Sequence, residues 1–347
     1  IEGTASESTL AAMLAARDRV RRGGAKGQYV AYASNQAHSS VVKAAMIAGL
    51  ANGPDDRTAV RLIDVDDGFR LRPAALANAI REDIEAGRVP FYVCATIGTT
   101  GVTAVDPIAD IASVLAAANA PYPIWLHIDA AHSGASLICA EHRWQIKGIE
   151  GADSFAFNPH KWLLTNFDCG CFWTADAAAL TRALSVTPEY LRNAASDSGD
   201  VIDYRDWQIP LGRRFRALKL WFVMRHYGID GLQAHIRRHV ALAQLFEQLV
   251  NDDPRFQLAA PRTVNLVCFR LRNASDAANK QLMDTLNATG KAYLTHTVLP
   301  RQANAPHGSL VLRMAISGTL TMEHHVRETW ALIQLTAASI IPIESSR

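Results

Sequence analysis

A lysine and an aspartate, each at the end of a short apolar segment, are the residues best suited to chemistry. Lys161 follows an apolar run and the turn 158–160, and Trp162 comes directly after it. Apolar surroundings disfavour an ammonium ion, so such a lysine tends towards the neutral amine that can bond to a carbonyl carbon. Asp129 ends a second apolar run, where a buried carboxylate is costly unless a cation faces it.

These two residues together predict pyridoxal phosphate (PLP) as the cofactor. A lysine can hold the aldehyde carbon of PLP, and an aspartate can keep its ring nitrogen protonated, which turns the ring into an electron sink. If neither residue has a catalytic role, Lys161 would be a solvated surface lysine and Asp129 would be a helix cap.

Short motifs along the chain occur in a fixed order. They occupy residues 3–7, 36–40, 95–100, 129–131, 158–162 and 203–216. In this order and spacing the sequence resembles the PLP-dependent group II amino-acid decarboxylases, most closely the aromatic-L-amino-acid decarboxylases. The resemblance implies a carbon–carbon lyase that converts aromatic L-amino acids to amines and CO₂. It also implies PLP fold type I, an α/β fold, and an interlocked homodimer with shared active sites.

The resemblance assigns roles around the cofactor ring. Lys161 carries the cofactor, and Asp129 faces the ring nitrogen. His38 stacks on one face of the ring, opposite Ala131. Thr96 bonds near the 3-hydroxyl group or to Asp129, although threonine is also common in strands for its shape alone.

A second group of residues is expected at the cofactor phosphate. Thr4, Ala5 and Ser6 begin a predicted helix, whose free N–H groups and dipole favour an anion, although an ordinary helix cap would look the same. Asn158 is a further anchor for the phosphate or the backbone. His160 is expected to contact the phosphate or the substrate carboxylate.

Three residues are expected to face the substrate. In the family that the sequence resembles, a loop tyrosine, here Tyr190, reaches the neighbouring site and returns a proton to the substrate carbon after CO₂ leaves. Relatives with phenylalanine there react with oxygen and form an aldehyde, so tyrosine favours simple decarboxylation. His132 stands where the family often has an aromatic residue, and Gly212 leaves space for an indole or catechol ring.

Composition excludes several other classes of protein. The chain has 347 residues, 49% hydrophobic and 20% charged, and a net charge of +2. These values are typical of a globular protein and imply neither a nucleic-acid nor a membrane partner. The five cysteines are scattered, and no second pair or histidine completes a metal site around Cys169-Gly-Cys171. We therefore expect no metal, reduced thiols and a cytoplasmic location.

Short apolar segments alternate with helical patterns in the first half of the chain. Such alternation predicts a mostly parallel sheet covered on both faces, with ligands at the carboxyl ends of its strands. A long helix is predicted over 215–251, followed by strands at 264–271 and 310–317 and a closing helix at 322–340. We predict a PLP-binding large domain at residues 1–218 and a smaller α+β domain at 219–347.

Other functions fit the same motifs. A decarboxylase of acidic or sulfinic amino acids and an aromatic aldehyde synthase are the enzymatic alternatives. Members of the resembled family carry a further N-terminal segment that helps to form the dimer and the substrate pocket, and the sequence starts after it. The non-enzymatic alternative is therefore a truncated, inert chain or an assembly partner.

Overall fold

A six-stranded sheet forms the centre of the first part of the molecule. The structure is a computed structural model and describes residues 1–186, 201–300 and 309–340. The strand order is β2-β1-β3-β4-β5-β6, and all neighbours are parallel except β5 and β6. The strands are β1 (Tyr29–Ser34), β2 (Val60–Ile63), β3 (Val89–Thr96), β4 (Trp125–Asp129), β5 (Ser154–Phe157) and β6 (Cys171–Thr174).

Helices cover both faces of this sheet. Every residue of β3 and β4 is buried, as expected for central strands of a parallel sheet with two covered faces. One face packs against α1, α2 and α6, and the other packs against α3 and α4. The helices are α1 (Ala5–Arg22), α2 (Ser40–Ile47), α3 (Pro73–Glu85), α4 (Ile108–Ala117), α5 (Pro159–Trp162) and α6 (Ala177–Leu184).

A four-stranded antiparallel sheet forms the second part. Its order is β7-β8-β10-β9. Alternate residues of β8 face opposite sides, because side chains alternate along a strand: Val267 and Phe269 pack against helices, whereas Leu266 and Cys268 pack near Phe69 of the first part. The elements are α7 (Arg216–Asp252), β7 (Phe256–Leu258), β8 (Leu266–Leu271), α8 (Asp276–Ala288), β9 (Thr295–Leu299), β10 (Ser309–Ala315) and α9 (Glu323–Ile340).

Helix α7 connects the two parts and is broken at Gly228. The φ angle there is 63°, a left-handed value that favours glycine and interrupts the helix. Before the break, large apolar side chains such as Trp221 and Phe222 are exposed. After it, the helix buries residues against both parts of the molecule. The domain boundary between 218 and 219 falls inside the first section of α7 and stays a prediction.

The predicted fold class is confirmed. A mostly parallel sheet with helices on both faces is followed by a smaller α+β unit. The sequence patterns did not predict β6, β7, β9, α6 or α8. Much of the predicted loop 184–203 lies outside the described residues. No helix in the described ranges is long and apolar enough to cross a membrane.

One buried histidine of the first sheet makes stability depend on pH. Burial lowers the pKa of His127 to about 3, whereas the unfolded chain titrates near 6.5. Between these two pKa values the histidine is protonated in the unfolded state but not in the folded state. The free energy of unfolding therefore decreases as the pH falls from about 6.5 towards 3. We expect His127→Gln to reduce the slope of unfolding free energy against pH by about 1.4 kcal/mol per pH unit between about pH 6 and 4.

Urea unfolding at several pH values measures this slope. The exposed His324 provides a matched His→Gln control on helix α9. A slope that is the same in His127→Gln and in the wild type would contradict the prediction.

Candidate active site

The carboxyl ends of the central strands open onto a cavity of about 450 Å³. Ligands of open α/β sheets bind at this edge, because the loops that follow the strands converge there. The cavity brings together eleven of the residues predicted from the sequence. They are Thr4, Ala5, Ser6, His38, Thr96, Asp129, Ala131, His132, Asn158, His160 and Lys161.

Lys161 lies in α5, a single helical turn directly after β5. Pro159 begins this turn, since proline fits the first helical position. The Lys161 side chain lines the cavity and is exposed to it. The surrounding protein nevertheless lowers the pKa of Lys161 by desolvation, and the charge of Asp129 opposes that shift. The lysine therefore gives up its proton more easily than a lysine in water.

Asp129 is the last residue of β4 and is buried. Its Oδ1 accepts a hydrogen bond of 2.9 Å from the backbone N–H of Ala131. Burial raises the pKa of Asp129, while this N–H, Lys161 and His38 act in the opposite direction. Its Oδ2 has no hydrogen bond among the described residues, so the carboxylate can still face a cationic group.

Thr96 and His38 complete the walls beside these two residues. The Thr96 hydroxyl is buried and has no hydrogen-bond partner in the described part of the chain. His38 accepts a hydrogen bond at Nδ1 from the Ser40 backbone N–H, at 3.1 Å. In the neutral ring the proton of His38 is therefore on Nε2.

The start of helix α1 is tied to the lysine turn. The backbone N–H of Ala5 donates to Asn158 Oδ1 at 2.8 Å, so Asn158 anchors backbone and Ala5 has no N–H left for an anion. Ser6 is exposed in the first turn of α1, and its hydroxyl has no hydrogen bond within the described ranges. Ser6 and the dipole of α1 are thus the groups that favour an anion here.

His160 directly precedes Lys161 in α5 and is held by contacts of its own. Its Nδ1 lies 2.9 Å from both the backbone nitrogen and the carbonyl oxygen of Cys169, so this residue holds the ring whichever ring nitrogen carries the proton. The ring meets Phe167 edge to face, with centroids 4.7 Å apart. Burial is the main cause that lowers the pKa of His160.

The second sheet also lines the cavity, which the sequence did not reveal. Asn265, directly before β8, and Arg313, within β10, both reach it. The Arg313 guanidinium donates to the backbone carbonyls of Gly101 and Thr100, and burial lowers its pKa. The one sequence signal for Arg313 was that it is a charged residue within the otherwise apolar run 310–316.

Two other residues, Gly212 and Tyr190, were predicted to face the substrate. Gly212 is exposed in the loop before α7 and does not line the cavity within one chain. Tyr190 lies outside the described residues. Their contact with substrate stays a prediction.

The amino-acid sequence also matches a known family. Residues 1–272 match the pyridoxal-dependent decarboxylase conserved domain. This chain belongs to the pyridoxal-dependent decarboxylase family. The membership predicted from six short motifs is thereby confirmed, and the family consists of PLP-dependent carboxy-lyases.

Individual relatives cover nearly the whole of this decarboxylase. Phenylacetaldehyde synthase of Arabidopsis thaliana is 46% identical over 98% of this chain and 69% of its own length. Tryptophan decarboxylase 2 of Oryza sativa subsp. japonica is 44% identical over 98% of this chain and 68% of its own length. The crystal structure of Oryza sativa TDC with PLP and tryptamine superposes on this chain with a TM-score of 0.90, at 44% sequence identity. The match covers 97% of this chain and 69% of the chain in that crystal structure.

The residues present in this decarboxylase fit the cofactor of the family. Asp129 offers a buried carboxylate oxygen, and Thr96 offers a buried hydroxyl group without a partner. Lys161, with its lowered pKa, lies in the same cavity, as does the N-terminal turn of α1. These groups match the ring nitrogen, the 3-hydroxyl group, the aldehyde and the phosphate of PLP, respectively.

Proposed function

We propose that this chain removes the α-carboxylate of aromatic L-amino acids and releases the aromatic amine and CO₂. The main support is that Lys161 and Asp129 share one cavity with the start of helix α1. Two relatives of 44–46% identity are named for making or using aromatic compounds. This likeness favours an aromatic substrate over an acidic or sulfinic one.

The chain's own residues prepare the cavity for this reaction. When bound, PLP supplies an electron sink for the electron pair of the broken carbon–carbon bond. Asp129 holds a negative charge in a buried position, where it stabilises a protonated ring nitrogen. Lys161, because its pKa is lowered, can take up and return a proton at Nζ. His38, with its proton on Nε2, offers a donor at the cavity wall.

An aldehyde synthase is the second candidate function. It is favoured by the 46% identity to a phenylacetaldehyde synthase. Tyr190 argues for the amine product, since a phenolic group can return the proton that phenylalanine cannot. The two candidates differ in product and in oxygen consumption, so they can be separated by direct measurement.

We expect purified holoenzyme to convert tryptophan, tyrosine or DOPA to the matching amine, with one CO₂ per turnover. Glutamate and cysteine sulfinate are expected to react at least about 100-fold more slowly in kcat/KM, because a site that binds an aromatic ring removes water from an acidic side chain without pairing its charge. Mass spectrometry identifies the product and an oxygen electrode measures oxygen uptake. Aldehyde with oxygen uptake would assign the second candidate, and glutamate as the best substrate would refute the aromatic proposal.

The assembly and location of the chain are further proposals. A homodimer is supported by the exposed apolar side chains in the first section of α7, since large exposed apolar patches mark interfaces. A cytoplasmic location is supported by five cysteines that are all free and buried. A yellow dimer on purification would agree with an active enzyme, whereas a colourless monomer would favour the inert chain.

A further inference from the structure

Trp162, the residue directly after Lys161, is enclosed by imidazole rings. Its side chain is almost completely buried. The ring of His132 is parallel to the indole, with an interplanar angle of 2° and centroids 5.1 Å apart. The ring of His239, from helix α7, is nearly parallel to the indole, at an interplanar angle of 13°, and accepts the indole N–H at Nδ1, at 3.0 Å.

The proton positions on His239 follow from its two partners. Nδ1 must be unprotonated, because the indole of Trp162 can only donate. Nε2 lies 3.1 Å from the carbonyl oxygen of Gly318, which can only accept, so Nε2 carries the proton. His239 is therefore neutral, and burial lowers its pKa to about 4. Its ring is further packed edge to face by His235, at 4.3 Å between centroids.

The proton on His132 is fixed in the same way. Its Nε2 lies 2.8 Å from Asn265 Oδ1. The amide nitrogen of Asn265 donates to the carbonyl of Ile316 at 2.8 Å, so Oδ1 is the acceptor and His132 Nε2 carries the proton. Burial is the main cause that lowers the pKa of His132 to about 4.

Both imidazoles thus join the lysine turn to the second sheet. His132 is hydrogen-bonded to Asn265 directly before β8, and His239 is hydrogen-bonded to Gly318 just after β10. The turn α5 is only four residues long, too short to hold its own geometry without packing. Its fourth residue, Trp162, is the one that these contacts hold.

We propose that His239 and His132 are positioning residues for Lys161. They fix the side chain of Trp162 and thereby the position of the Lys161 amine. Because both imidazoles are hydrogen-bonded to residues next to the second sheet, that position depends on how the second sheet packs against the first part of the molecule. Neither imidazole needs to touch the substrate for this role. The inference rests on the proposed role of Lys161 as the cofactor-binding lysine. It adds that contacts outside the reacting atoms tune the ionisation of that lysine.

Two substitutions of His239 test the proposal. In His239→Leu the acceptor for the indole N–H is lost, whereas in His239→Asn the amide oxygen can occupy the place of Nδ1. We expect His239→Leu to move the pH midpoint of the visible absorbance of the substrate-free holoenzyme by about one unit, a tenfold change in equilibrium. We also expect kcat to fall about tenfold with a smaller change in KM. His239→Asn is expected to restore both values to within about twofold of the wild type.

A double-mutant cycle with Trp162→Phe isolates the hydrogen bond. Phenylalanine keeps a ring beside His132 but has no N–H, so Trp162→Phe combined with His239→Leu is expected to shift the midpoint no further than His239→Leu alone. Val250→Ala, in the core on the same helix, controls for lost stability and is expected to leave the midpoint unchanged.

The outcomes separate this proposal from the proposed function. If His239→Leu lowers the melting temperature as Val250→Ala does but leaves the absorbance midpoint and kcat unchanged, the positioning role is refuted. Additive effects in the double mutant would refute it as well. If wild-type protein acquires no lysine-dependent absorbance with PLP, the role of Lys161 itself fails before any variant is compared.

Discussion

Lys161→Ala is expected to abolish the visible absorbance of lysine-bound cofactor and to lower kcat at least about 1000-fold, equivalent to roughly 4 kcal/mol of transition-state stabilisation. The reason is that Lys161 is the amine with a lowered pKa in the cavity that also holds Asp129. The measurements are absorbance spectra of the purified variant with added PLP and single-turnover decarboxylation.

Lys161→Arg is the matched control for charge. It keeps a cation near Asp129 but has no amine that can bond to a carbonyl carbon. We expect it to be as inactive as Lys161→Ala, with a melting temperature closer to that of the wild type. A variant at position 161 that keeps the spectrum of lysine-bound cofactor would show that another lysine carries the cofactor.

Asp129→Asn is expected to lower kcat about 100-fold, or roughly 2.7 kcal/mol, while the protein stays folded. The amide oxygen can still accept the Ala131 N–H that now bonds Oδ1. The negative charge is lost, so a protonated ring nitrogen in the cavity has no partner and the electron sink is weaker. Steady-state kinetics and the cofactor dissociation rate are the measurements.

Asp106→Asn is the matched control for removal of a buried carboxylate. Asp106 accepts the backbone N–H groups of Leu71 at 2.7 Å and of Thr96 at 2.8 Å, and it does not line the cavity. An amide can accept only with its oxygen, so this variant is expected to lose about 1–3 kcal/mol of stability. Its kcat is expected to remain within a few-fold of the wild type. Equal losses of kcat in both variants would contradict a specific role for Asp129.

The parallel sheet was predictable because its signal is local. Strands β3 and β4 are continuous apolar runs between turn residues, and the helices that separate them have their own periodicity. Three of the four edge strands, β6, β7 and β9, were missed because this local signal is weak in them. Strand β9 has mostly exposed or half-exposed residues. Its sequence therefore lacks the run of apolar residues that burial requires and that identifies a strand.

The cofactor side of the site was predictable, whereas its second-sheet side was not. Lys161 and Asp129 each follow an apolar run, which marks a strand end from sequence alone. Asn265 reaches His132 only because β8 is docked on the first part of the molecule. Such a contact depends on tertiary packing, and neither residue carries a local signal for it.

The hydrogen bond from Ala5 to Asn158 joins positions 153 residues apart in sequence. Closing so long a span of chain costs entropy before any contact compensates for it, and parallel pairing between distant segments is slow. The residues between these two positions must therefore be synthesised before the helix end and the lysine turn meet. A nascent chain that has not yet exposed the lysine turn therefore has no complete site to capture the cofactor.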